Sequence, residues 1–162
     1  MNGIRKWLGI LAVAVMSITA FSTVQAAPSP RDLFLESESP LKYAETVEAL
    51  KAELTADGWS ILATHDLSAS LAKKGFTVLP VTVIEGCRGN FSVELLKNEE
   101  TRYVSSLLPC RVSVYETSTG KVIISRMNTA VMGAQMEPAV AEVMGKAGKS
   151  LEAIVAKILA KK

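Results

Sequence analysis

Cys87, in Gly86-Cys-Arg-Gly-Asn90, and Cys110, in Leu107-Leu-Pro-Cys-Arg-Val-Ser-Val-Tyr-Glu116, are the only cysteines of the 162-residue chain, and each is followed by an arginine. Two thiols alone allow three chemistries. They can close a structural disulfide, which in the chain-entropy picture would stabilise by about 3 kcal/mol for a loop of this length. Cys110 can instead be a small apolar filler beside Val112. The two can also act as a thiol redox or soft-metal pair, since a neighbouring guanidinium favours thiolate. Strand alternation sends Arg111 to the face opposite Cys110, which leaves only Arg88, in a turn, free to act on Cys87.

Methionines extend the soft-metal option. Met127 ends a strand-like run, Met132 and Met136 stand four apart and would share a helix face, and Met144 follows two turns on. Thiolate and thioether sulfurs together would select Cu(I). Core packing is the more ordinary use of methionine at helical spacing. His65 is the single histidine, so any acid-base, triad or zinc scheme must pass through it. Its neighbour Asp66 is better used as a helix cap. The chain carries no Gly-x-Ser-x-Gly, Walker or dinucleotide fingerprint and no CxxC redox or CxxCH haem motif, so the sequence argues against an enzyme and names no cofactor.

The compartment decides which cysteine chemistry is open. Arg5 and Lys6, an apolar run from Trp7 to Phe21 and the small-residue ending Val24-Gln25-Ala26 have the form of a secretory signal peptide over residues 1–26. The run is about 15 residues, short of the roughly 20 a membrane span needs, so stable membrane insertion after cleavage is not expected. A periplasmic or secreted location favours oxidation, and the leading expectation for Cys87 and Cys110 is a disulfide. Cleavage also takes the net charge from +2 to zero. A neutral chain without a cationic face is not built for nucleic acid.

The elements that must position these residues alternate. Residues 27–39 have the Pro/Ser character of a flexible N-terminal arm, and 40–162 make a single domain. Ala44, Val47, Leu50 and Leu54 form one stripe of a helix over 44–57, stopped by Gly58. A strand follows at 59–65, then a short helix capped by Asp66 and ended at Gly75. Residues 77–85 are strand-like, with Pro80 arguing for an edge position or a start at Val81. A short helix near Asn90–Asn98 precedes a hairpin of 110–116 and 121–127 around Thr117-Ser-Thr-Gly120. In its first strand Cys110, Val112 and Val114 share one face, and Arg111, Ser113 and Tyr115 the other. The clearest helix is the last, from Pro138 to Ala160, where Val140, Met144, Ala147, Leu151, Ile154 and Ile158 make an apolar stripe. Together they describe an α+β two-layer sandwich, with a mixed or antiparallel sheet packed against helices.

The segments Thr64–Gly75, Gly86–Asn90, Leu107–Glu116 and Ser125–Gly133, in this order after an amphipathic helix, resemble the family called domain of unknown function 302, here in a secreted form. The resemblance spans roughly 41–160. It implies an α+β fold able to associate as a homodimer, and no established reaction. The functional expectation is a non-enzymatic periplasmic binding or interaction module with an unknown ligand. Its contact surface would be Arg88 with a polar face of Arg111, Ser113, Tyr115 and Arg126. The alternative is a thiol redox or Cu(I) protein centred on Cys87 and Cys110.

Overall fold

A computed structural model describes residues 29–161; the signal peptide expected at 1–26 lies outside the described residues. The core is one antiparallel sheet whose five strands run in the order β1-β5-β4-β3-β2. They are β1 (Phe34–Glu38), β2 (Ser60–Asp66), β3 (Val81–Cys87), β4 (Cys110–Glu116) and β5 (Val122–Met127). Five α-helices accompany them among the described residues: α1 (Tyr43–Ala56), α2 (Leu67–Ala72), α3 (Gly89–Leu96), α4 (Thr129–Gly133) and α5 (Pro138–Leu159). The expected two-layer α+β architecture is present, and the sheet is wholly antiparallel.

Local chemistry accounts for most element boundaries. Asp66 accepts the amide of Ala69 and caps α2, while Gly58, at φ +84°, takes the left-handed conformation that ends α1. Pro80 stays outside the sheet: β3 starts at Val81, and the Pro80 carbonyl accepts the amide of Glu116 at the far end of β4. At its other end β3 runs two residues past the expected stop and includes Gly86 and Cys87.

All six stripe positions of α5 are buried, joined by Val143 and Val155. From Ala147 onward they meet Val47, Leu50 and Leu54 of α1 and the inward residues Ile84, Val112, Val114, Val122 and Ile124 of the sheet. Ala44, assigned to the α1 stripe, is exposed; Thr46 takes the buried place, its hydroxyl 2.8 Å from that of Ser39. A second cluster of Leu95, Val104, Val140, Val143 and Met144 joins α3 and the 102–107 turn to the start of α5.

Two expectations are corrected here. Residues 34–38, placed in the arm, form β1, which pairs with β5 from Phe34 opposite Met127 to Glu38 opposite Ile123. The pairing partner, not a local pattern, makes this strand. Arg126, grouped with the polar face, is only 5% exposed and lies on the helix side. Alternation along β5 puts it with Val122 and Ile124.

Candidate functional site

The end of the sheet where β3 finishes and β4 begins encloses a cavity of about 380 Å³. Its walls are Phe91 and Leu95 of α3, Val143, Met144, Ala147 and Leu151 of α5, and the chain from Val104 to Pro109. Trp59 closes one side, edge-on to Phe91 with ring centroids 6.2 Å apart. Gly86 makes room for it: a Cβ there would sit 3.4 Å from Trp59 Cε3. The peptide Leu108–Pro109 leading into β4 is cis.

Cys87 and Cys110 both line this cavity. Cys110 stands opposite Gly86 in the β3–β4 register, so Cys87 is the next residue on the adjacent strand, where β3 ends. Cys87 Sγ is 3.2 Å from Ser92 Oγ on α3. Burial pushes the Cys110 thiol up, and Cys87 adds to the shift. Both are free thiols, and the disulfide expected for an exported chain is not formed here.

Arg88 is not free to activate Cys87. Its Nη1 donates to Asp57 Oδ2 at 2.6 Å and to Ser150 Oγ at 3.0 Å, and its guanidinium lies 4.9 Å over the Phe91 ring. Ser150 in turn donates to Asp57 and accepts from Trp59 Nε1 at 2.9 Å. This network ties the end of α1, the start of β2, the Cys87 turn and the middle of α5 into one rigid corner. The hydrogen bond from Ser150 holds the Asp57 carboxyl below its ordinary 3.8, with burial opposing and Arg88 adding to the pull. A folded-state value below the unfolded one contributes stability above the unfolded value, and that contribution is lost as pH falls through the folded one. Asp57→Asn should therefore cost stability at pH 7, and its gap from wild type should narrow as pH drops below about 4. Urea midpoints at pH 7 and pH 3 measure this; an unchanged gap at pH 3 would reject the carboxylate's role.

Of the proposed contact surface, Arg111, Ser113 and Tyr115 do share the face turned away from α1 and α5. Arg111 donates to Glu85 Oε1 at 3.0 Å, Tyr115 to Glu36 Oε1 at 2.5 Å. Arg111 is exposed while Val112 and Val114 are 2% and 0% exposed, as alternation requires. Arg126 is instead held by Glu152 of α5, Ser37 Oγ and the carbonyl of Ile124. His65 Nε2 lies 3.6 Å from Glu85 on the β2 side and does not line the cavity.

Met127, Met132, Met136 and Met144 all belong to or pack against the second apolar cluster, and of them Met127 and Met144 also line the cavity. The helix expected to carry both Met132 and Met136 is α4, which ends at Gly133, so Met136 lies beyond it. Among the described residues no group of three or more His, Cys, Asp and Glu side chains is placed to hold a metal ion. Trp59, Phe91, Asp57 and Ser150 were not legible as site residues, because the contacts that join them span up to 93 positions.

An antiparallel sheet with helices on one face and a cavity at one end defines a small α+β domain. The family model described as "Domain of unknown function DUF302" matches residues 35–158, and the chain belongs to that family. A crystal structure of an uncharacterized conserved DUF302 protein from Bacillus stearothermophilus is similar in fold, with a TM-score of 0.70 at 24% identity. The match covers 78% of this chain and 98% of that one. No curated protein matches the sequence. Among the described residues no helix is long and apolar enough to cross a membrane.

Proposed function

We propose that this protein is an exported, non-enzymatic binding module whose ligand is a compact apolar molecule held between the sheet end, α3 and α5. The carrying observation is the cavity of about 380 Å³, within the size range of small-molecule sites and lined mostly by apolar and aromatic side chains. Ser92, Ser106 and Thr129 are among the lining residues and supply a few neutral hydroxyls. No His, Asp, Glu or Lys side chain is among its lining residues, and the thiols of Cys87 and Cys110 are the titratable groups there apart from the arginines. Export rests on the charged, apolar and small-residue pattern of residues 1–26.

Self-association belongs to the same reading. β2 is an edge strand that carries exposed Leu62, and a second copy pairing there would cover that side chain and the open backbone edge. Light scattering that gives a monomer mass at high concentration would remove this part.

The binding reading is tested on protein recovered from the cell envelope, whose N-terminus should be Ala27, by titration with the uncharged fluorophore N-phenyl-1-naphthylamine. Saturable binding of one probe per chain is expected, and Ala147→Phe, which fills the cavity from α5, should abolish it while the circular dichroism spectrum is retained. Equal binding by wild type and Ala147→Phe, or no saturable binding by wild type, would overturn the cavity as the site.

A further inference from the structure

We infer that the thiol end of the cavity is a binding site for a soft monovalent metal ion, Cu(I), with Cys87 and Cys110 as thiolate ligands and Met127 and Met144 as the available thioethers. The inference does not depend on an organic ligand. Four sulfur-bearing side chains from β3, β4, β5 and α5 line one cavity, although they are widely separated in sequence. The register that puts Cys110 opposite Gly86 places the two cysteines on adjacent strands, and each is free.

The donor set decides the metal. With no carboxylate or imidazole among the lining residues, a hard or borderline divalent ion would find only hydroxyls beside the sulfurs. Thiolate and thioether ligands are the soft set that selects Cu(I). Binding is a simple exchange: Cu(I) forms two Cu–S bonds, the two S–H bonds are broken, and two protons leave to solvent, with no change of oxidation state. The resulting bis-thiolate centre carries one negative charge. Arg88, Arg111 and Arg126 are among the lining residues, each already paired with a carboxylate, Asp57, Glu85 and Glu152 respectively, so the centre's charge is not met by a free cation. A mostly apolar enclosure also protects the ion from water and oxidant.

The test is anaerobic competition for Cu(I) between the reduced mature protein and the chelator bathocuproine disulfonate. Wild type should withdraw one Cu(I) per chain. Cys87→Ser and Cys110→Ser should each weaken binding by more than the roughly 10–100-fold that loss of an outer-shell partner costs. Met127→Leu and Met144→Leu conserve volume, and at least one should weaken it by roughly tenfold. The Cys87→Ser/Cys110→Ser variant is run in parallel with N-phenyl-1-naphthylamine: retained probe binding or a retained circular dichroism spectrum shows a folded chain, so that lost copper binding reports the ligands. A wild type that withdraws no Cu(I), or a double serine variant that binds it as tightly as wild type, would overturn the site. Because the probe reads the apolar cavity separately, either reading can fail without the other.

Discussion

Ile154→Ala is expected to lower the unfolding free energy by about 4 kcal/mol, in the upper part of the range for truncating a buried isoleucine to alanine. Ile154 is 0% exposed and sits where α5 meets α1 and the inward side of the sheet, so little can move in to fill the space. Leu151, one turn earlier on the same stripe, is 4% exposed but already lines the cavity. Its side chain has fewer partner atoms on that side, and Leu151→Ala should cost less, about 2–3 kcal/mol. Urea unfolding with an unchanged slope gives both numbers. Values within about 0.5 kcal/mol of wild type, as for surface positions, would mean that α5 does not carry the core.

Glu152→Ala should be the most damaging substitution of a partly exposed polar side chain. Arg126 is buried in the sheet, and Glu152 binds it through both oxygens, one of them 2.7 Å from Nε. Breaking a fully buried pair costs about 3–5 kcal/mol because one charge is left uncompensated. The Glu152 side chain is 45% exposed, so water can reach the stranded guanidinium, and the expected cost falls to about 2 kcal/mol. Arg126→Met combined with Glu152→Ala removes the buried charge itself and should recover most of that loss. Denaturation of the single and double variants decides it: a double variant no more stable than Glu152→Ala alone would show that the cost is lost packing rather than an unpaired charge.

Both expectations come from long-range placement, and they show where the chain is locally legible. The α5 stripe is a helical-period pattern, and each of its six positions is buried because period alone fixes which side chains face one direction. The β4–β5 hairpin, the Asp66 cap and the Gly58 stop are equally local, since turn chemistry and backbone freedom act within a few residues. For Arg126 two local signals compete: charge argues for the polar face and alternation for the apolar one. The fold decides for alternation because α5 brings Glu152 to the guanidinium across 26 positions.

The amino-acid sequence by itself determined the α+β class, the family, the burial of the last helix and the opposite orientations of Arg111 and Val112. Tertiary structure alone decided the rest. β1 exists because β5 offers it hydrogen-bonding partners, and its Phe-Leu-Glu-Ser-Glu run has too little apolar content to be distinguished from an arm. The Asp57–Ser150–Arg88 corner brings together polar groups from α1, α5 and the Cys87 turn. The cavity is the space left where α3, α5 and the 104–109 chain meet the sheet end, and Cys87, Cys110, Met127 and Met144 share it through strand order and helix placement. Periodicity reports which way a side chain points along its own element; which neighbours it meets is set by packing between elements, and that is where the sulfurs acquire a common site.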